Sequence, residues 1–155
     1  MLEVGDAAPP FTLRDSTGRE VSLEDFAGRH VVLYFYPRDD TPGCTKEACG
    51  FRDAWEELQA LGVLVLGVSA DDAASHRRFA EKYRLPFPLL SDPDRSVMTA
   101  YGAYGDKLMY GKKVRGVIRS TAWIGPDGRI RRHWARVANA EQHPGKVLQA
   151  VRDAG

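Results

Sequence analysis

The chain has 155 residues, with 22 Lys and Arg against 21 Asp and Glu, for a formal charge of +1. That length suits one domain, residues 1–155, with a sizeable core, and nothing in the charge balance argues for a bulk electrostatic partner such as nucleic acid or a membrane surface. No apolar run approaches a membrane span, and MLEVGDAAPP lacks the basic and apolar regions of a signal peptide, so a cytoplasmic protein is expected.

Phe11-Thr-Leu13 and Val21-Ser-Leu23 alternate around the turn signal Asp15-Ser-Thr-Gly18 and predict a hairpin. His30 to Tyr36 is an unbroken apolar run, long enough for one buried strand. A helical pattern follows from Pro42 to about Ala60, with Cys44, Ala48, Phe51, Trp55 and Leu58 marking its inward face. Val63 to Val68 is a second apolar strand. Strand, helix and strand make a βαβ unit, which implies a parallel pair with a right-handed crossover.

Ser69-Ala-Asp-Asp opens another helix through about Tyr83, whose polar face is read as His76, Arg77, Arg78, Glu81 and Lys82. Pro86 to Ser91 reads as a short strand and Asp94 to Tyr101 as a short helix. Tyr104 to Arg115 reads as a Gly- and Lys-punctuated connection, basic enough for anions but more simply a surface loop. Val117 to Ile124, the turn Gly125-Pro-Asp-Gly128 and Arg129 to Val137 predict a hairpin. Its arginines, with Trp134, are explained by a solvated strand face. Glu141 to Ala154 closes the chain as a helix. The order predicts an α/β fold of the thioredoxin-like kind: a central mixed sheet flanked by helices, with an N-terminal β-hairpin extension.

Chemistry concentrates in PRDDTPGCTKEACGF, Pro37 to Phe51, which holds both cysteines, Cys44 and Cys49. Two cysteines in a cytoplasmic protein point to redox chemistry or burial rather than to a structural disulfide. His30, His76, His133 and His143 form no metal-ligand pair with them, so zinc is not expected. Thr41-Pro42-Gly43 reads as a helix start, with a hydroxyl at the N-cap and proline at the first helical position. Cys44 then lies in the first turn, where free backbone N–H groups and the helix dipole favour a thiolate. A lone cysteine is more often an inert buried thiol. The strand, the cap and the first-turn placement together favour the reactive reading.

Pro37-x-x-x-Thr41-x-x-Cys44 resembles the active-site signature of the peroxiredoxins, thiol peroxidases on a thioredoxin-like fold. The wider DDTPGCTKEACGFRD, with GDAAPPFTLRDSTGREVSLEDFAGR before it and MYGKKVRGVIRST after it, is similar to the bacterioferritin comigratory, or Q-type, branch. The resemblance covers nearly the whole chain. It implies a monomer that reduces hydrogen peroxide and organic hydroperoxides, is recycled by a thioredoxin- or glutaredoxin-type reductant, and needs no metal, flavin or haem. In that scheme Cys44 attacks the peroxide and Cys49 resolves the resulting sulfenic acid. Thr41 holds the peroxide, Pro37 shields the sulfur and Arg119 stabilises the oxygens. Glu47 is frequent in the branch, and an exposed helical Glu would account for it equally. Trp123 and Gly125 depart from the branch's Phe and Asp; placed near the site mouth, they would bear on substrate or reductant preference.

Thiolate formation alone cannot make a peroxidase. Lowering a thiol pKa from ~8.5 to ~6 raises the thiolate fraction about thirtyfold at pH 7, and reduced nucleophilicity takes back roughly tenfold. The larger effect must come from donors aimed at the leaving oxygen. Arg119, within an apolar strand, is the candidate by resemblance, although strand alternation alone would turn it outward.

Two rivals remain. One is a disulfide oxidoreductase on the same fold, for which Cys-x-x-x-x-Cys is the wrong spacing. The other is a non-enzymatic binding or chaperone module. The spacing also sets a mechanical condition. Five helical residues rise about 7.5 Å and turn the side chains roughly 140° apart. A disulfide needs Cα atoms within about 7 Å, so pairing Cys44 with Cys49 requires unwinding from Thr41 to at least Gly50.

Overall fold

The computed structural model describes residues 2–154. Strands β1 (Thr12–Asp15) and β2 (Glu20–Ser22) form the expected N-terminal hairpin. Next come β3 (His30–Phe35), helix α1 (Pro42–Ala60), β4 (Val63–Ser69) and α2 (Ala73–Tyr83). They are followed by β5 (Leu89–Ser91), α3 (Ser96–Ala100), β6 (Tyr104–Met109) and β7 (Lys112–Val117). Strands β8 (Ser120–Ile124) and β9 (Ile130–Trp134) and helix α4 (His143–Ala154) complete the order. Seven strands make one mixed sheet in the order β2-β1-β5-β4-β3-β8-β9. β3, β4 and β5 are parallel, as the βαβ reading requires, whereas β8 runs antiparallel to β3.

The two-residue period of β3 divides the core. Val31, Leu33 and Phe35 face one side with Leu66, Val68, Met98, Tyr101 and Ile124. Val32, Tyr34 and Tyr36 face the other, against Cys44, Ala48, Phe51 and Leu58 of α1, Phe79 of α2 and Val147 and Val151 of α4. Full burial of each such side chain is worth roughly 1.5–3 kcal/mol. The Tyr34 ring stacks on Phe51 at 4.7 Å between centroids, fixing α1 to the sheet. Gly50 brings α1 against α4 so closely that a Cβ there would sit 2.7 Å from Cγ of Pro144. Among the described residues no helix is long and apolar enough to cross a membrane.

Three local readings are corrected. Tyr104 to Arg115 is not a loop: β6 and β7 pair as a separate two-stranded sheet. Their link is Tyr110-Gly111, both at positive φ (53° and 78°), a two-residue turn between the paired Met109 and Lys112. Nor is Val117 to Ile124 one strand. The chain breaks at Ile118 and Arg119 while passing from the small sheet to the large one. His76 is fully buried rather than part of a solvated face. It lies three residues from both Ala73 and Phe79, on the inward arc of α2.

Candidate active site

β3 ends at Phe35, and the chain crosses Tyr36 to Thr41 before α1 begins. This crossing is pinned by α2. Buried Asp39 accepts from Tyr36 Oη at 2.6 Å and from Ser75 Oγ at 2.8 Å, and lies 2.7 Å from His76 Nδ1. His76 Nε2 faces the Leu90 carbonyl at 3.1 Å. Asp71 accepts from the Asp39 backbone N–H at 2.8 Å. Asp39, Asp71 and His76 could each offer a metal ligand atom within 4.8 Å of the others, but hydrogen bonds within the protein already engage these groups. Asp40, at φ 56°, accepts from Lys82 Nζ at 2.8 Å and Tyr83 Oη at 2.9 Å.

Thr41 has the extended backbone of an N-cap, and its carbonyl accepts from the Thr45 N–H at 2.8 Å. The expected side-chain cap is not made. Thr41 Oγ1 instead donates to the Arg38 carbonyl at 2.9 Å, which leaves its lone pairs free to accept. Pro42 takes the first helical position, as its fixed φ and missing N–H allow.

Cys44, one turn in, is 1% exposed. Arg119 reaches it from the break between β7 and β8: Nη2 donates to Cys44 Sγ at 3.2 Å, while Nη1 donates to Glu47 Oε1 at 2.6 Å. Gly43 makes room, since a Cβ there would stand 3.3 Å from Arg119 Nη2. Arg119 therefore does not point to solvent, as strand alternation would have it, because it is not in a strand. Glu47 is fully buried, against the expectation of an exposed helical Glu. Burial pushes its carboxyl up to about 7, although the Arg119 guanidinium pulls the other way. Its Oε2 is buried without a hydrogen-bond partner. Spacing could have found it: position 47 lies between Cys44 and Phe51 on the apolar arc of α1.

Arg119 and Pro37 also line a cleft of about 630 Å³, together with Leu108, Val117, Ile118 and Val137. Cys44 and Glu47 do not line it themselves and are joined to it through the Arg119 guanidinium, with Thr41 three residues before Cys44 at the helix start. Cys49 is not brought together with them. Both cysteines are free, and α1 runs unbroken through them, with Cys49 half-buried. Trp123 and Gly125 lie away from this centre. Trp123 pairs with Val32, and its Nε1 donates to His30 Nδ1 at 3.2 Å, at the other end of β3.

Residues 4–133 match the AhpC/TSA family. A putative peroxiredoxin of Coxiella burnetii is 52% identical over 147 residues, covering 95% of this chain and 97% of its own length. The chain is a peroxiredoxin of the AhpC/TSA family. The Bacillus subtilis peroxiredoxin Bcp is 40% identical over 152 residues, 98% of this chain and 96% of its own. A structure addressing alkyl peroxide reduction by the Xanthomonas campestris bacterioferritin comigratory protein superposes with a TM-score of 0.89 at 37% identity, covering 99% of this peroxiredoxin and 98% of that chain. The thioredoxin-like fold expected from the order of elements is therefore the peroxiredoxin fold.

Proposed function

We propose that this peroxiredoxin reduces hydrogen peroxide and organic hydroperoxides through Cys44. The observation that carries the reading is the Arg119 donor 3.2 Å from Cys44 Sγ, its other arm tied to buried Glu47. A guanidinium so held is preorganised, and donors fixed before reaction stabilise developing charge most effectively. The Cys44 thiolate attacks the terminal peroxide oxygen, and the O–O bond breaks. Sulfur is oxidised to a sulfenic acid, and the leaving oxygen departs as hydroxide or alkoxide and takes up a proton. Arg119 and the Cys44 backbone N–H donate to the oxygens, Thr41 Oγ1 accepts from the peroxide O–H, and Pro37 covers the sulfur.

Cys49 then condenses with the sulfenic acid, forming an intramolecular disulfide and releasing water. A thioredoxin- or glutaredoxin-type dithiol returns both thiols and is itself oxidised. The protein acts as a monomer in the cytoplasm. Mixing the reduced protein with a small excess of peroxide tests the reading. Rapid stoichiometric loss of both thiols, absent in Cys44→Ser, is expected. Slow loss with fast exchange on a small disulfide would point to an oxidoreductase, and inertness to both to a binding module.

A further inference from the structure

The five large apolar side chains that stand exposed among the described residues are Val4, Leu61, Leu108, Met109 and Tyr110. Three of them are consecutive, at the tip of the β6–β7 hairpin. Leu108 is 78% exposed and Tyr110 is 99% exposed. The hairpin stands as its own two-stranded sheet, so its tip is not covered by the seven-stranded one.

Tyr110 is also an unexpected residue for its place. The two-residue turn needs positive φ at both positions, for which Asn-Gly is the favoured pair. A tyrosine there costs conformational energy that no packing of its ring repays. The side chain is therefore held outward at the expense of the turn.

Charge lies behind the tip, where Lys113 and Arg115 share Asp106 at 3.4 and 3.9 Å and Lys107 Nζ donates to the Val117 carbonyl at 2.8 Å. Tyr104 to Val117 holds Lys107, Lys112, Lys113 and Arg115 against Asp106, a local charge of +3; with +1 for the whole chain, all other residues carry −2. The near-neutral total that argues against an electrostatic partner conceals this separation. The protruding side chains expose on the order of 400–500 Å², short of the ~800 Å² per partner of a stable protein interface. A small apolar tip backed by a net positive hairpin, with Lys112 next to it, suits a soft, negatively charged phase, where tyrosine settles at the headgroup level and lysine stems snorkel outward.

We infer that the β6–β7 hairpin is a docking element for anionic lipid bilayers, with Leu108, Met109 and Tyr110 entering the interface and the basic residues meeting the headgroups. The inference stands apart from the chemistry at Cys44. On the proposed function it adds orientation: Leu108 lines the same cleft as Arg119, so docking turns that cleft toward the bilayer.

Flotation of the reduced protein with vesicles, without peroxide, tests it. Binding to phosphatidylglycerol–phosphatidylcholine vesicles is expected, with little to phosphatidylcholine alone, weakening steeply with added salt. Tyr110→Asn suits the turn better, so it should keep or raise the melting temperature while lowering vesicle partitioning about tenfold or more. Lys112→Glu should weaken binding similarly. No binding to anionic vesicles, or unchanged binding by Tyr110→Asn, overturns the inference. A concentration-dependent dimer in sedimentation velocity that Tyr110→Asn abolishes also overturns it, in favour of a second copy as the occupant.

Discussion

Arg119 donates to Glu47 at 2.6 Å with one arm of its guanidinium while the other arm lies on Cys44 Sγ at 3.2 Å. The carboxylate thus sets where the donor points. Arg119→Lys keeps the charge but cannot span both partners. Its rate of Cys44 oxidation by peroxide in stopped flow should fall by about 10² or more. Glu47→Gln, which keeps an acceptor but loses the charge, should fall by roughly tenfold. Because burial lifts the Glu47 carboxyl to about 7, the wild-type rate should drop as pH falls through that value. Glu47→Gln should lose this inflection. A Glu47→Gln profile parallel to wild type would show that Glu47 holds Arg119 without titrating against it.

Stability should respond to pH through two buried groups of opposite sign. His143, on α4, is pushed down to about 4, first by burial and then by the nearby Lys146 and Arg119 charges. Its contribution is present above the unfolded value of ~6.5 and is lost as pH falls through about 4, a cost of about 3 kcal/mol at full extent. Glu47 is raised instead, so its contribution is complete below the unfolded value of ~4.3 and is lost as pH rises through about 7. Between these limits the two oppose one another. Urea midpoints for Glu47→Gln should therefore fall more steeply between pH 6.5 and 4 than those of wild type, and His143→Asn should show the reverse.

Gly50→Ala would add helix propensity of up to ~1 kcal/mol on an open helix. Here the methyl meets the rigid ring of Pro144, so a net loss of about 1–3 kcal/mol is expected. Gly145→Ala is the control: it also lies in a helix, but a Cβ there has nothing within 4 Å, and it should be neutral or stabilising. Thermal melts of the pair separate packing from propensity. Gly50 thus has a structural task beyond marking how far the helix must unwind.

The proposed disulfide carries its own test. In the reduced protein Cys44 and Cys49 lie on one continuous helix. Oxidation should abolish amide protection across residues 41–50, while the amides of Trp55 to Leu58, whose carbonyl partners at 51–54 stay helical, remain protected. In Cys49→Ser the sulfenic acid should persist and advance to sulfinic acid under excess peroxide. Equal exchange protection in both redox forms would sink the intramolecular bond and make Cys49 a bystander.

The sequence revealed most where one physical signal dominated. The apolar runs of β3 and β4 and the Thr41-Pro42 start of α1 were legible because burial and proline's fit to the first helical position are local. Arg119 could be placed at the site only by family resemblance, since its approach to Cys44 depends on a chain break that no hydrophobic pattern marks. Glu47 and His76 were misjudged for one reason. Each is polar but stands on the apolar arc of its helix, and residue type was weighted above position. The β6–β7 hairpin was missed because neither strand alternates clearly, and its turn begins with Tyr110 where Asn would have announced it.

The bonds that α2 makes to Asp39 and Asp40 have a kinetic consequence. They fix the chain just before Thr41, as the packing of Phe51 and the Gly50–Pro144 contact fix it just after. The segment between is a tethered loop of about ten residues, and a free loop of that length closes in roughly 10–100 ns. Diffusive search between the two sulfurs therefore cannot limit the proposed resolution by Cys49. The waiting time belongs to the opening of the first turns of α1, so substitutions that strengthen this stretch of helix should prolong the sulfenic acid and its exposure to over-oxidation.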